Sequence, residues 1–304
     1  MKAKQIRLLG LMVLGFVAIL AFAQEQRTDR VVVPLSNPAK PARIEAELMR
    51  GSITVKGYEG KDVIVEAKVR EKSLSGKSAL QEAEEAEEES EEKEAVIAGK
   101  AVQKKSAEKA AGMKRISGAA TTGLEVEEED NVVNIQTGSW KSAVDLTIQV
   151  PYSANLKLSS NNEGDITVEN VSGEIEVNNL NGSTHLKNVS GTVIADTLNG
   201  EVEVVLTKVT PDKPMSFSTM NGDIDVTFPA DFKANVKMKS ERGDVYSDFD
   251  IVLKPGLPKV EEGKKEGGKF RVNFEKSIFG TINGGGPEFK FNTFNGDIYI
   301  RKKK

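Results

Sequence analysis

Apolar and polar residues alternate along most of this chain in short bursts, and the bursts recur at a fixed interval. In "VSGEIEVNNLNGSTHLKNVSGTVIADTLNGEVEV", residues 171 to 204, glycines stand at 173, 182, 191 and 200, with Gly164 before them. Apolar side chains follow two and usually four residues on: Ile166 and Val168, Ile175 and Val177, Leu186 alone, Val193 and Ala195, Val202 and Val204. Alternation with a period of two over four or five residues is the mark of a half-buried strand. The glycines alternate between Val-Ser-Gly and Leu-Asn-Gly, so the true repeat is 18 residues long and holds two strands.

Counted from the Asn-Gly glycine, apolar residues fall at −7, −5, −2, +2 and +4. The same template fits around Gly222 (Met215, Phe217, Met220, Ile224, Val226) and around Gly296 (Phe289, Phe291, Phe294, Ile298, Ile300). It fits again around Gly51 (Ile44, Ala46, Met49, Ile53, Val55) and in part around Gly243. One strand–corner–strand unit cannot bury its apolar face alone, whereas units stacked in parallel share a continuous core. Asn-Gly suits the corner because both residues tolerate positive φ. The pattern therefore predicts an all-β chain, a parallel β-solenoid-like repeat of about 18–22 residues per coil, stacked in chain order. Roughly seven coils at ~4.8 Å each would make a rod ~35 Å long. Asn-Gly also closes hairpins, so an antiparallel sandwich is the competing architecture.

Two stretches depart from the repeat. Residues 80 to 115 are rich in helix formers, acidic at first ("EAEEAEEESEEKE") and basic later. They predict a charged insertion over 73–122, partly helical or disordered, between first β-repeat strands at 24–72 and a solenoid domain at 123–304. The N-terminus carries Lys2, Lys4 and Arg7 ahead of an apolar run from Leu8 to Ala23. That run is shorter than the ~20 residues of a spanning helix and ends in Ala21-Phe22-Ala23, which predicts a secretory signal, residues 1–23, cleaved between Ala23 and Gln24.

Charge and cysteine content narrow the classes further. The chain has no cysteine, so an exported form carries no disulfide and no lipid anchored through an N-terminal Cys. Loss of the signal removes three cations and leaves 39 against 46 acids, a poor balance for binding nucleic acid. No second apolar span follows, so no membrane span is expected after signal removal.

The stretches "LKLSSNNEGDITVENVSGEIEV", "MSFSTMNGDIDVTFP" and "GTINGGGPEFKFNTFNGDIYIRK" resemble exported bacterial β-strand-repeat proteins grouped as "putative adhesins", a domain-of-unknown-function family. The resemblance covers about residue 30 to the end, without the charged insertion, and its most specific part is Thr-x-Asn-Gly-Asp-Ile. It implies a β-solenoid-like fold, an envelope location and no established catalytic activity or functional residues.

The residues offer little independent chemistry. His185 is the only histidine and stands at an outward position, so zinc and Ser-His or Cys-His chemistry lack their ligands and bases. Outward positions +1 and +3 carry Asp165, Glu201, Glu203, Asp223, Asp225, Asp244 and Asp297. Stacked in register, Glu201, Asp223 and Asp244 would form a column ~5 Å apart. Weak Ca²⁺ binding there is one reading, and a solvated acidic face is the other. A catalytic carboxylate pair would have to stand apart from the repeat, and these acids belong to it. Trp140 reads as a cap over the first coil, and "GTINGGG", residues 280 to 286, as a turn.

The expectation is a non-enzymatic, exported envelope protein without cofactors, an adhesin-like structural or binding module in the periplasm or at the cell surface. Its partner would be a protein or a surface polysaccharide, with end-to-end self-association at open strand edges, discouraged at one end by Lys302 to Lys304. A periplasmic scaffolding or regulatory protein is the alternative reading, and a glycan-acting β-helix enzyme a third.

Overall fold

A computed structural model describes residues 28–70, 122–138, 142–254 and 277–304. Regular structure among them consists of strands alone. In chain order these are β1 (Thr28–Pro34), β2 (Ala42–Leu48), β3 (Ile53–Tyr58), β4 (Asp62–Val69), β5 (Leu124–Glu129), β6 (Val132–Thr137) and β7 (Val144–Pro151). There follow β8 (Ala154–Ser160), β9 (Ile166–Glu169), β10 (Ser172–Asn181), β11 (Thr184–Asn199), β12 (Val202–Val209), β13 (Met215–Asn221) and β14 (Ile224–Phe228). The last are β15 (Ala234–Arg242), β16 (Val245–Ser247), β17 (Val252–Lys254), β18 (Ile278–Ile282), β19 (Glu288–Asn295) and β20 (Ile298–Lys302). The charged insertion, Trp140 and the N-terminal signal lie outside the described residues.

Each coil is a strand, a glycine corner and a second strand, so the stack has two faces that close on one core. The first face runs β6-β2-β8-β10-β11-β13-β19-β15, all parallel. The second runs β7-β3-β9-β11-β12-β14-β20-β16, again parallel. Strand β11, 16 residues long, belongs to both faces and turns from one to the other at a bulge between Leu186 and Ser190. Inside, the +2 and +4 residues such as Ile224 and Val226 meet the −7 and −5 residues such as Met215 and Phe217, all buried. This is the parallel β-solenoid, and the antiparallel sandwich is excluded.

Coil order departs from chain order at both ends. The β2–β3 coil sits between β6–β7 and β8–β9, and the C-terminal β19–β20 coil sits between β13–β14 and β15–β16. Register explains why this is possible, because the corner glycines stack directly on one another, Gly164 on Gly51, Gly296 on Gly222 and Gly243 on Gly296. Long connections follow β4 and β17, and the entropic cost of closing a loop rises only slowly with its length. The aromatic content then favours the inserted C-terminal coil. Phe291 stacks on Phe217 at 5.2 Å, and Phe289 lies 5.6 Å from Phe228 and 5.9 Å from Phe232. Lys302 accordingly lies in a strand flanked by β14 and β16, not at a solenoid end.

Antiparallel strands finish the stack. At one end β4 covers β7, β1 covers β4, and β5 covers β6. The Glu128 carboxylate accepts hydrogen bonds from the Ser36 amide (3.0 Å), its hydroxyl (2.9 Å) and the Asn131 amide (3.1 Å), tying this end together. Those bonds, the Ser36 amide's first, hold Glu128 below the usual carboxylate range. At the other end β18 covers β15, β17 covers β18, and Phe232 and Phe249 pack edge to face at 4.9 Å.

Truncation before Ile278 should therefore not trim a terminal coil. It should release β15 and β16, so that limited proteolysis cuts residues 230–254 while the coils from β8 to β12 stay protected. Protection of 230–254 in the truncated chain would contradict the insertion.

Candidate functional site

The Asn-Gly corner is where sequence reasoning placed the chemistry, and three ladders of hydrogen bonds run through it along the stack. The innermost begins at −3. Thr219 Oγ1 donates to the Gly200 carbonyl (2.9 Å), Thr293 Oγ1 to Gly222 (3.1 Å), Ser240 Oγ to Gly296 (2.9 Å) and Thr197 Oγ1 to Gly182 (3.0 Å). Asn179 Nδ2 reaches Gly164 (3.1 Å) and Ser160 Oγ reaches Gly51 (3.0 Å) in the same way. At the corner the glycine carbonyl turns away from the strand ladder, and a buried carbonyl needs a partner. The hydroxyl or amide of the next coil supplies it.

A second ladder joins the asparagines at −1. Asn199 Nδ2 donates to Asn181 Oδ1 (2.9 Å), Asn221 to Asn199 (2.7 Å) and Asn295 to Asn221 (2.6 Å). A third runs through +1, where side chains accept backbone amides. Asp223 Oδ1 takes the Asp297 amide and Asp297 Oδ1 the Asp244 amide, both at 2.8 Å, as Asp165 Oδ1 takes that of Ser183. The glycines complete the arrangement. Gly222, at φ +150°, carries its Cα so close to the Gly200 carbonyl that an added Cβ would overlap it.

The three acids proposed for calcium are thus placed differently from expectation. Glu201 and Asp223 are on neighbouring coils, but Asp297 stands between Asp223 and Asp244. Asp223 and Asp297 each commit one oxygen to the backbone. Among the described residues, no three acids or histidines converge where a metal ion could sit. The −2 side chains also differ. Met49, Leu198, Met220 and Phe294, apolar at −2 of the template, are exposed, as is Leu180. The pleat explains this, since the buried −3 residue fixes −2 on the opposite face.

The +3 column holds the only histidine. His185 Nδ1 lies 2.9 Å from Glu203 Oε2 one coil on, and Thr167 is its register partner on the other side. This row stands on an open strand face whose backbone amides serve the parallel ladder.

Further along the same column, two tyrosines stand where no sequence signal had pointed. Tyr246 and Tyr299 are register partners with rings stacked at 5.2 Å and 11°. The Tyr299 hydroxyl donates to Asp297 Oδ2 (3.0 Å), and the Arg301 guanidinium lies 5.1 Å from the Tyr299 ring while pairing with Asp225 at 2.7 Å. Tyr246 is 49% exposed, and a depression of about 280 Å³ lies between Tyr246, Asp248, Tyr299 and Arg301. The pairing "DVYS" with "DIYI" was visible in the chain, but only the inserted coil brings the two tyrosines together.

Two measurements follow. Thr219→Val leaves the Gly200 carbonyl buried without its hydroxyl partner and should cost about 1–3 kcal/mol in urea denaturation, most of it recovered by Thr219→Ser. Both tyrosines hold their protons above the ordinary tyrosine value, Tyr246 chiefly through the Asp244 charge and Tyr299 chiefly through its bond to Asp297. The folded state thus favours the neutral phenols, a contribution complete below the ordinary tyrosine pKa and lost as pH rises through the folded value. Asp297→Ala should lower the alkaline absorbance midpoint of both phenols, and Asp165→Ala should leave it unchanged.

A search of curated proteins gives no match. Two solved structures are similar. One is described as a "putative cell adhesion protein" from Clostridium sporogenes, with 9% identity, TM-score 0.41, covering 91% of this chain and 100% of that one. The other is described as a "putative adhesin" from Bacteroides fragilis, with 13% identity, TM-score 0.32, covering 91% and 98%. The family model of the Toastrack DUF4097 proteins matches residues 15–301, nearly the whole described solenoid included, and the chain belongs to that family.

Proposed function

We propose that this protein is an exported, non-enzymatic, adhesin-like module that binds a surface polysaccharide along the ridge centred on Tyr246 and Tyr299. One observation carries the reading: two parallel, stacked, partly exposed aromatic rings are held one coil apart, flanked by carboxylates and a guanidinium fixed by register. Tyrosine combines an apolar ring with a polar tip, which suits a ligand whose faces are C–H and whose edges are hydroxyl. Asp225, Asp248 and Arg301 are of the type that hydrogen-bonds hydroxyls.

Export is supported by the cationic start, the short apolar run to Ala23 and the small residues ahead of Gln24. The absence of enzymatic activity is supported by the corner acids, whose oxygens serve neighbouring backbone amides. It is supported also by the open setting of His185.

Binding of the purified chain to immobilised envelope polysaccharide tests the proposal. Tyr246→Ala should weaken retention at least about tenfold, with unchanged β circular dichroism. Tyr152→Ala, another exposed tyrosine away from the ridge, should bind as the wild type does. Equal retention of the wild type and Tyr246→Ala would end this reading.

A further inference from the structure

The second face finishes differently at its two ends. At one, β4 covers β7; at the other, β16 pairs with β20 and, among the described residues, with no strand on its far side. Side chains alternate along β16, so Asp244, Tyr246 and Asp248, all exposed, point the same way from this edge. Tyr246 closes the column of rings. Tyr299 takes one face of it, at 5.2 Å and 11°, and the far face looks along the stack past the last strand.

The +1 ladder ends on the same coil. Asp223 and Asp297 each give one oxygen to the amide of the next +1 residue, and the second oxygen of Asp297 takes the Tyr299 hydroxyl. Asp244 is the last member, and among the described residues no further coil offers its carboxylate a backbone amide. Its charge is therefore turned outward beside the open ring.

The charge around that ring is one-sided. Asp244 precedes it, Asp248 follows it, and Asp297 and Asp223 continue the row inward. Cations stand nearby, but each is engaged elsewhere. Arg301 pairs with Asp225 at 2.7 Å and lies against Tyr299. Arg242 lies 5.1 Å from the Phe294 ring, with Asn295 Oδ1 at 3.5 Å, and Lys302 lies 5.7 Å from the Phe249 ring. Lys303 is two residues further along than Arg301, away from the rings. The phenol registers this field, since the Asp244 charge first and the Asp297 charge second hold its proton above the ordinary value.

An aromatic face is negative at its centre and attracts a cation. A carboxylate on either side adds Coulomb attraction and accepts the N–H groups of an ammonium. A neutral sugar would gain only the C–H contact with the ring. Resting on the reading of the ridge as a polysaccharide site, we infer that the sugar on the far face of Tyr246 carries a free, protonated amino group, held against the ring between Asp244 and Asp248. The ligand class is an amino sugar whose nitrogen is not acylated, because acylation removes the charge.

The chain lacking only residues 1–23 can be titrated with a glucosamine oligosaccharide and with the same oligosaccharide N-acetylated, in mildly acidic buffer that keeps amine and carboxylates charged. The amine form should bind at least about tenfold more tightly, and its advantage should shrink as salt rises. Tyr246→Phe keeps the ring face and should keep the preference, whereas Tyr246→Leu should lose it. Asp244→Asn combined with Asp248→Asn should bring the two affinities close to equal. Asp165→Asn, in the same +1 row on the β9 coil, should change neither, and circular dichroism should stay β in every variant. Equal affinity for the two forms, still dependent on Tyr246, would leave polysaccharide binding standing and overturn the amino group. A preference that survives the paired aspartate substitution would overturn it too. Binding of neither form, or binding indifferent to Tyr246→Leu, would end both readings.

Discussion

The carbonyl of the corner glycine is the constraint on which the rest of this structure depends. A parallel stack satisfies backbone groups within its strands, but at a tight corner one carbonyl points inward, away from any amide. Left unpaired and buried, each would cost about 1–3 kcal/mol, repeated at every coil. The side chain at −3 resolves this from the coil above, through Asn179, Thr197, Thr219, Thr293 and Ser240, with Ser160, at −4 from Gly164, doing the same. Its solution has consequences. The donor must be short and polar, the corner must be glycine because the next coil's corner lies against it, and the +1 acceptor locks the following amide. Thr-x-Asn-Gly-Asp is thus a stacking motif, in which four of five residues hold one coil on another.

A motif that any coil can satisfy does not specify which coil comes next. That is why the last coil enters the stack out of chain order with its ladders intact, and the first coil does so even with Leu48 at −3 and Arg50 at −1. Ser240 finds the Gly296 carbonyl and Thr293 finds that of Gly222, although those residues are far apart in the chain. Specificity comes instead from what varies between coils. Phe217, Phe228, Phe289 and Phe291 form one aromatic block that only the C-terminal coil completes. The arrangement raises the share of long-range contacts, and it makes completion of the core depend on the last residues of the chain.

This division explains what was legible in the chain. The period, the corners, the two strands per coil and the parallel core follow from alternation and from glycine spacing, because those report backbone geometry common to all coils. The direction of the −2 side chain was not legible, since Leu198 and Met220 fit the apolar template and yet are exposed. A template built on hydropathy cannot distinguish an apolar residue that faces the core from one that faces solvent. The neighbours of Asp223 and Asp244 were equally hidden, because coil order is settled by aromatic packing far from the acids. For the same reason the tyrosine pair had no signature, its members being separated in the chain by residues 247 to 298.

Subtracting the ladders from the surface separates stacking from recognition. The polar residues at −3, −1 and +1 are explained by their neighbours, so their repetition is no sign of a ligand. What the stack does not explain is the apolar stripe on one face and the aromatic ridge on the other. They differ in how they repeat. The stripe follows the coil spacing over four successive coils, from Leu180 to Phe294. The ridge occurs once, near one end, and so suits recognition of a local feature.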